Sequence, residues 1–496
     1  MKKLILALLF ISSLSLSAQV STPGTGVNWD LDSLVANFPS AFSLDTGIYY
    51  QTDDLIVAKN DSLILDNSLV WKLDSGVRVT VEARATFRSE GNLLLGIQMD
   101  ISAFDSTKTF DGFRFEDSSK VYINNTFFSY GGGLRVLTGD FEMINSEVSY
   151  SHSKGTSTSG ALGFSRGKPR VIGSTFRYNA QPAMGAGANS TVSATIKYNL
   201  IQFNNLNNAN RPQINLGPTH PNDTTRIIGN SIIGDTNLTK AGGISVSTLL
   251  SGFSVNAIID SNVIADNRYG ITMYGATYGL IRYNTIRDND SEPNPLNGGS
   301  GIALYATNGP VIATRNEISG NYWGVTLISG ATINLGDTVA ANFNEGKNTF
   351  SNNGNGGITY ALYNNTSNPI RALNNCWTGD TSATLADAEN VIVHMVDDAS
   401  LGEVFFDPIW KCTDENVSTD EETASTLFSM YPNPAQDLLS LDLQEPQTIR
   451  IYNLTGTLMN TYTLEAGHTE LNMDLKSGLY LVKTSNGGQT HKLLID

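Results

Sequence analysis

The chain is poor in the residues that usually build metal and redox sites. Its 496 residues include two cysteines, Cys376 and Cys412, and five scattered histidines. There is no Cys-x-x-Cys pair and no cluster of His and Cys, so nothing in the sequence points to a zinc site. The two cysteines are either joined in a disulfide or buried as free thiols, and the sequence leaves both alternatives open.

Charged residues are also scarce, at 16% of the chain, and the formal net charge is −16 with 31 Lys and Arg. A protein that binds nucleic acid needs a basic face for the phosphates, so this composition argues against nucleic acid as a partner. The 46 glycines, together with much Asn, Ser and Thr, favour an all-β protein with many tight turns. The length suggests two to four domains unless a repeat extends one of them.

Long apolar runs are lacking after the N-terminus. No later stretch approaches the ~20 apolar residues of a transmembrane helix, so we predict no transmembrane segment. Residues 1–18 are predicted to be a signal peptide, because Lys2 and Lys3 precede an apolar run and Ala18 precedes the expected cleavage point. A membrane anchor is the alternative, although the run is too short to span a bilayer comfortably.

One short motif recurs along most of the chain: Asn, any residue, an apolar residue, two more residues, then Asn or Asp. Its clear copies are "NLIQFN" (199–204), "NSIIGD" (230–235), "NVIADN" (262–267), "NTIRDN" (284–289), "NEISGN" (316–321) and "NTFSNN" (348–353). Together with weaker copies between residues 125 and 179 and at 375–380, they start 21 to 32 residues apart. Such periods are typical of repeat architectures.

A second element follows each of the last five of these copies: Gly, an apolar residue, and another apolar or aromatic residue two places on. Alternation with a period of two predicts a strand with one buried face. The residues predicted to point inward are Ile244, Ile271, Ile302, Val325 and Ile358. Those predicted to point outward are Ser245, Thr272, Ala303, Thr326 and Thr359.

Short strands, a repeat near 22 residues and no helical periodicity predict a parallel β-solenoid, whose coils hydrogen-bond to one another about 4.8 Å apart. Residues 50 to 410 resemble the right-handed parallel β-helix family, the pectin-lyase-like superfold, and the hand of the helix is implied by that resemblance. We therefore predict an all-β fold with an N-terminal cap at 19–50 and a capped β-helix at 51–411. Within the cap, residues 28–38 are predicted to form a short amphipathic helix.

The asparagines that begin the motif have a structural explanation. Asn tolerates the left-handed conformation of sharp turns, and stacked side-chain amides can hydrogen-bond from coil to coil. We predict such a ladder rather than a binding role for Asn199, Asn230, Asn262, Asn284, Asn316 and Asn348.

The last part of the chain differs in composition. Residues 412–426 are acidic and poor in apolar residues, so they are predicted to form a solvated linker. Residues 427–496 alternate like the strands of a small antiparallel β-sandwich. They resemble the C-terminal sorting domain of the type IX secretion system of Bacteroidetes. The residues that carry this resemblance are Tyr431, Pro432, Asn433, Pro434, Gly456, Gly478 and Tyr480. It implies the secretion machinery as a partner and a secreted or outer-surface location after export to the periplasm.

No catalytic residue is assigned from the sequence. No His lies between two glycines, and the Asp-Asp pairs at 53–54 and 397–398 fall in the end regions. A polysaccharide lyase or glycoside hydrolase is nevertheless the alternative function, because carboxylates from separate coils could converge. Acidic side chains that meet Arg or Lys across three neighbouring coils would favour it.

One group of acids is a candidate metal site. Asp266 and Asp288 occupy equivalent motif positions, and Asp290 and Glu292 follow in the next insertion. Stacked acids repel one another or share a cation, so Ca²⁺ is a candidate cofactor here, although none is required. Ordinary surface charge in a loop is the default explanation.

A set of aromatic residues near the Gly corners is the candidate glycan-binding site: Tyr269, Tyr274, Tyr305, Tyr322 and Trp323. Aromatic faces beside Asn and Thr suit sugar rings, but the same residues could simply cover the core. Insertions at 151–160, 235–243 and 289–301 are predicted to stack on one edge, where repeat proteins often bind. The leading hypothesis is a non-catalytic protein that binds polysaccharide or a cell-surface glycan, or a structural, adhesin-like rod.

Overall fold

The computed structural model describes most of the chain. The described residues are 19–66, 69–91, 99–412, 428–431, 435, 438–443, 446–453, 457–476, 478–484 and 490–495. The predicted signal peptide and residues 413–426 of the predicted linker lie outside them. Within the described residues, no helix is long and apolar enough to cross a membrane.

Three long parallel sheets form the body of the protein, and each coil adds one strand to each sheet in the order A, B, C. Sheet A contains Gln19–Ser21, Asp54–Val57, Arg78–Val81, Gly112–Phe115, Leu134–Val136, Leu162–Phe164, Met184–Ala186, Pro212–Leu216, Gly242–Ser247, Ile271–Tyr274, Ser300–Tyr305, Trp323–Ile328, Leu362–Asn365 and Ile392–Val393. Sheet B contains Asn28–Trp29, Ser62–Asp66, Thr86–Glu90, Lys120–Asn124, Asp140–Ile144, Arg170–Ile172, Thr195–Lys197, Thr225–Ile228, Asn256–Asp260, Tyr278–Arg282, Val311–Thr314, Asn334–Gly336, Ile370–Ala372 and Val404–Phe405.

Sheet C completes each coil and carries the residues that follow the motif asparagines. It contains Phe42–Asp45, Ile48–Gln51, Val70–Leu73, Met99–Ala103, Thr126–Ser129, Glu147–Ser149, Thr175–Arg177, Leu200–Gln202, Ser231–Ile233, Val263–Ala265, Thr285–Arg287, Glu317–Ser319 and Thr349–Ser351. Its first two strands pair antiparallel and the later pairs are parallel. The predicted all-β fold with stacked parallel coils is therefore confirmed.

The core runs without interruption through the coils, because every strand turns one alternate set of side chains inward. In sheet A, Ile244, Ile271, Ile302 and Val325 are register partners and are fully buried. In sheet C, Ile318 is fully buried between two exposed or half-buried neighbours. A single coil could not bury these side chains alone, so stacking supplies the stability.

The prediction for Ile358 is wrong. This residue is 56% exposed and belongs to a small antiparallel hairpin of Gly354–Asn355 with Ile358–Thr359. The strand of that coil is Leu362–Asn365, where Leu362 takes the inward place beside Val325. The hairpin is an insertion whose sequence resembles the Gly–apolar element of the repeat. Gly356 and Gly357 adopt the positive φ angles of its turn. Thr359 therefore does not belong to the outward column of sheet A.

Both ends of the solenoid are capped. At the first coil, helix α1 spans Leu31–Asn37 inside the predicted stretch and buries Leu31 and Leu34. The buried Asp61 accepts hydrogen bonds from the backbone of Gly24, Gly26 and Val27, which holds the entering chain against the first coils.

At the last coil, helix α2 spans Leu385–Glu389 and begins with a capping box at Thr384. The Trp377 ring stacks on Phe350 at a centroid distance of 4.9 Å, which closes the core. Cys376 and Cys412 form a disulfide, so the bonded alternative holds. A short 3₁₀ turn, Ala340–Asn342, lies in a loop that follows sheet B.

The C-terminal segment is a small two-sheet unit with a core of its own. One antiparallel sheet contains Phe428–Tyr431, Leu438–Leu443 and Gly467–Asn472, and the other contains Leu458–Leu464, Gln447–Asn453, Gly478–Thr484 and Thr490–Ile495. Tyr480 is buried and its hydroxyl donates to the carbonyl oxygen of Lys476 at 2.8 Å. Of the motif residues, Pro432, Asn433, Pro434 and Gly456 lie outside the described residues.

Candidate functional site

The insertions lie where sheet C passes to sheet A, and together they form a wall along that edge. The insertion wall consists of residues 151–160, 205–211, 235–241 and 289–299, each of which precedes a strand of sheet A. Its members are hydrogen-bonded to one another across coils. Asn208 donates to Thr239 (3.4 Å), and the Ser291 hydroxyl donates to the carbonyl oxygen of Leu238 (3.2 Å). The insertions therefore lie on one edge of the solenoid, as predicted. Two of them end earlier than predicted, because Gly242 and Ser300 already begin strands of sheet A.

A groove lies between the insertion wall and the outer face of sheet A. It has a volume of about 390 Å³. Its floor is formed by Thr272, Ala303 and Thr326, which are register neighbours on three successive strands and point away from the coil. The Thr326 hydroxyl is also within 3.0 Å of the Ser300 hydroxyl. Small and hydroxyl-bearing side chains leave this floor flat and able to hydrogen-bond.

Aromatic rings border the groove at the later coils. Trp323 packs against Tyr360 and Tyr363, with ring centroids 4.5 Å and 5.5 Å away. Tyr305 stacks on Tyr274 of the preceding coil at 6.1 Å. Of these rings, Tyr305, Trp323 and Tyr363 line the groove itself. They give it apolar surface beside the hydroxyl groups of the floor, a combination that suits a sugar ring.

The last member of the insertion wall, residues 289–299, is called the strap. Two side chains from neighbouring coils hold it. The Trp323 indole donates through Nε1 to the carbonyl oxygen of Pro295 at 2.9 Å. Arg268 donates through Nε to the carbonyl oxygen of Asn297 at 2.8 Å, and its Nη2 donates to the same atom. The strap therefore covers the groove in a defined position.

The five predicted aromatic residues do not all reach the groove. Tyr269, Tyr305 and Trp323 line it, whereas Tyr274 lies behind Tyr305. Tyr322 lies against Gly299, on the side of the strap that carries Asp290 and Glu292. Burial raises the pKa of Tyr269 and of Tyr305, and the charge of Arg268 only partly opposes this. Both phenols are thus protonated at neutral pH and can donate hydrogen bonds.

The structure does not group the four predicted metal residues as a set of ligands. Within the part of the chain that the structure describes, no three His, Cys, Asp or Glu side chains are grouped so that they could hold an ion. Asp288 is paired with Arg287 at 2.8 Å. Burial raises the pKa of Asp266 and of Asp290, and the charge of Asp288 raises both further. The three aspartates thus repel one another, and the charge of Arg287 offsets part of that repulsion.

The predicted asparagines form a hydrogen-bonded ladder from coil to coil. Each side-chain amide donates to the side-chain oxygen of the next member, at 2.8–2.9 Å, from Asn199 through Asn348 to Asn375. A second ladder connects Asn267, Asn289, Asn321 and Asn353, which end the same motif copies. All of these residues are buried, so they stabilise the solenoid and lie away from the groove.

The ladder asparagines do not themselves adopt the left-handed conformation that was offered as one reason for their recurrence. The left-handed conformation falls on the residue before each ladder asparagine, as at Tyr283 (φ 53°) and Arg315 (φ 52°). The asparagine itself has negative φ and is retained for its side-chain hydrogen bonds.

Tyr363 was not predicted as a groove residue, because the strand of its coil was expected at Ile358 and Thr359, which belong to the inserted hairpin.

A second groove of about 340 Å³, which was not predicted, lies on the first coils of sheet A. That groove is lined by Asp54, Arg78, Arg114 and Glu116, from three successive strands. Alternation within "DLIV", "RVTV" and "FRFE" would have placed these charges on the outer face.

The charges of this second groove are arranged as ion pairs. Arg78 lies 3.7 Å from Asp54 and 3.5 Å from Asp111, and Arg114 is bonded to Glu116. Asp54 and Asp111 thus both lie beside Arg78, and Glu116 lies beside Arg114. The second groove therefore brings carboxylates and arginines together from three successive coils.

Comparisons with known proteins agree with this architecture. Residues 219–375 match the family model described as a right handed beta helix region, and residues 429–496 match that of the secretion system C-terminal sorting domain. No curated protein matches the chain. Among solved structures, a double mutant of the periplasmic alginate epimerase AlgG is similar with a TM-score of 0.41 and 13% identity, over 77% of this chain and 82% of that one.

Proposed function

Because the chain joins a right-handed parallel β-helix to a sorting domain of the type IX secretion system, we propose that it is a secreted or surface-displayed protein of a Bacteroidetes cell that binds carbohydrate without cleaving it. The N-terminal signal peptide would take it to the periplasm, and the sorting domain would then engage the secretion machinery. The ligand would lie in the groove between the strap and sheet A.

One observation carries the proposal: the groove combines aromatic rings with a hydroxyl floor, and the described residues that line it include no carboxylate. Tyr305, Trp323 and Tyr363 supply apolar surface, and Thr272 and Thr326 supply hydroxyl groups. Arg268 is the charged residue among the lining side chains. General acid–base hydrolysis needs a positioned acid and base, whereas recognition of a sugar needs only stacking and hydrogen bonds.

The test is retention of the full chain in native gels that contain neutral or acidic polysaccharides, with each polymer in a separate gel. We expect at least one polymer to retard the protein. Tyr363→Ala should weaken that binding about tenfold, the effect of losing one aromatic contact. Tyr283→Ala is the matched control, since Tyr283 is 50% exposed at a corner far from the groove. If no polymer retards the protein, carbohydrate binding is refuted.

A polysaccharide lyase or glycoside hydrolase remains the second candidate, and one observation favours it. Acidic side chains and arginines do meet across three neighbouring coils in the second groove. The same polymers should therefore be incubated with the protein and assayed for unsaturated products and for new reducing ends. Product formation that is lost in Arg78→Gln would overturn the non-catalytic assignment and place the reaction in the second groove.

A further inference from the structure

The outer face of sheet B carries a narrow apolar column. Ile258, Leu280 and Ile312 are register partners on three successive strands, and each is half-buried between two buried neighbours, so all three point outward. An ion pair lies beside the column, Arg282 with Asp260 at 2.7 Å. Because the column is one side chain wide, it is too narrow for an amphipathic helix, whose diameter with side chains is about 10 Å. A single extended hydrocarbon chain matches that width.

The column continues into a groove with a volume of about 540 Å³. The floor of this groove is Ile312, followed by Asn334 and Arg371 on the next two strands. Pro310 directly precedes a strand of sheet B, and Phe343 belongs to the loop that follows another, so the two border opposite edges of the groove. Most of the lining residues are apolar.

The loop that carries Phe343 is anchored on both sides of that residue. Asn344 is buried, and its Nδ2 donates to the carbonyl oxygens of Ala313 (3.1 Å) and Asn334 (2.9 Å). Asn334 donates through its own Nδ2 to the carbonyl oxygen of Asn342 at 2.8 Å, so its side chain is occupied in holding the loop. Phe343 lies between these anchors and is 64% exposed. The described part of the chain thus leaves most of a large apolar ring uncovered at the edge of the groove.

Arg371 lies at one end of the groove and carries an unneutralised charge. Its guanidinium lies over the ring of Phe405 on the next strand, 4.6 Å from the centroid, and this contact helps to fix its position. Arg282 on the same face is ion-paired, whereas Arg371 has no carboxylate partner among the described residues. Asp337 also lines the groove, but it is buried and its Oδ1 accepts from the backbone nitrogen of Val339 at 2.9 Å. The groove therefore offers a positive charge at the end of an apolar surface.

We propose that this groove binds a long-chain carboxylate, with its hydrocarbon chain along Leu280 and Ile312 and its carboxylate on the guanidinium of Arg371. From Leu280 to Arg371 the sheet advances by three strands. At about 4.8 Å per strand this covers roughly 14 Å, comparable to the length of extended dodecanoate. Transfer of the chain from water to the apolar floor supplies affinity, and charge-assisted hydrogen bonds to Arg371 fix the direction of the ligand. The site is on a different sheet from the carbohydrate groove, so either proposal can fail without the other.

The experiment measures the binding of three ligands to the full chain by isothermal titration calorimetry: octanoate, dodecanoate and dodecyltrimethylammonium. The first two share a head group and differ in chain length, whereas the last two share a chain and differ in the sign of their charge. We expect dodecanoate to bind about tenfold more tightly than octanoate, because more of its chain leaves water. It should also bind about tenfold more tightly than dodecyltrimethylammonium, although a net charge of −16 attracts cations to the surface in general.

Two variants locate the ligand. Arg371→Gln should weaken dodecanoate binding about tenfold without weakening the binding of dodecyltrimethylammonium. Ile312→Thr places a hydroxyl group on the floor and should weaken dodecanoate binding about fivefold. The matched controls are Arg170→Gln, which removes an ion-paired charge from the same sheet, and Val263→Thr, at an outward position of sheet C. Melting curves should show that all four variants are folded.

Binding of dodecanoate that both groove variants weaken and both controls preserve would support the site. The absence of dodecanoate binding would overturn it, and so would an equal loss in the control variants. Equal binding of the two dodecyl ligands, unchanged by Arg371→Gln, would also overturn it. Sedimentation with phosphatidylglycerol vesicles tests a membrane as the alternative source of anionic lipid. Capture by these vesicles without binding of free dodecanoate would replace the proposed site with a membrane-docking surface.

Discussion

Asn284 and Asn316 lie in successive coils, and the Nδ2 of Asn284 donates to the Oδ1 of Asn316 at 2.9 Å. Asn316 in turn donates to Asn348 and to the carbonyl oxygen of Ile281. Asn316→Ala would leave the buried amide of Asn284 without this acceptor. We expect a loss of about 3 kcal/mol in the free energy of unfolding, measured by urea denaturation. Asn342→Ala, at an exposed loop position, is the control, and an equal loss there would contradict the role of the ladder.

Ile318→Asp should destabilise the solenoid strongly. Ile318 is fully buried in the core, so the substitution places a charge where it has neither water nor a partner. We expect a loss of several kcal/mol, seen as a large fall in melting temperature. The neighbouring Glu317 is exposed on the outer face, so Glu317→Asp should change little. An unchanged melting curve for Ile318→Asp would refute the register of sheet C.

The N-terminal cap should be sensitive to acid through Asp61. Burial raises the pKa of this carboxyl, but hydrogen bonds from Thr22, Val27, Gly24 and Gly26 outweigh it, so the pKa is lowered in the folded protein.

The lowered pKa of Asp61 determines how its contribution to stability depends on pH. The stabilisation by Asp61 is complete above the ordinary carboxyl pKa of about 3.9, and it is lost as the pH falls through the lower folded value. Asp61→Asn should therefore be less stable than the unmodified protein at pH 7. The two melting temperatures should converge in acid, and a difference that persists there would contradict this linkage.

The indole nitrogen of Trp323 should position the strap. Trp323→Phe keeps an aromatic ring in the groove but removes the donor to Pro295. We expect faster amide hydrogen exchange within residues 289–299 and weaker carbohydrate binding, with little change in melting temperature. Tyr198→Phe, at an exposed corner, should alter neither quantity. Unchanged exchange in the strap would show that Trp323 does not hold it.

Removal of residues 425–496 should leave the protein in the periplasm. The deleted segment contains the sorting domain, so the signal peptide would still direct the first export step but the second would fail. Cell fractionation of the native host, with immunodetection of the β-helix, measures the outcome. Deletion of the acidic stretch 415–422 alone should preserve export. Normal surface display of the shorter protein would refute the sorting assignment.

The repeat could be predicted from the sequence because its determinants are local. Alternation at Ile271 and Ile302 and the recurring asparagines define the buried positions within each coil. Because the pattern is local, it also led to the wrong prediction for Ile358, which lies in an inserted hairpin with a sequence like that of a repeat strand. The sequence pattern alone does not distinguish the inserted hairpin from the true strand of that coil.

The groove could be predicted only in part. Tyr305 and Trp323 are predictable because they lie at fixed places relative to the Gly corners of the repeat. Arg268 is not predictable as a lining residue, because its partner Asn210 lies 58 residues earlier in the sequence. Such contacts depend on how each insertion folds over its neighbour, and the period of the repeat carries no information about that.

If the proposed surface display holds the protein by its C-terminal end, the disulfide between Cys376 and Cys412 has a mechanical consequence. The bond joins the last coil directly to the start of the linker, across 36 residues that include helix α2. Tension applied through the linker would enter the chain at Cys376 and bypass that closing segment. Shear flow that pulls on a bound polymer would thus load the hydrogen-bonded coils, while the lid over their apolar end carries no strain.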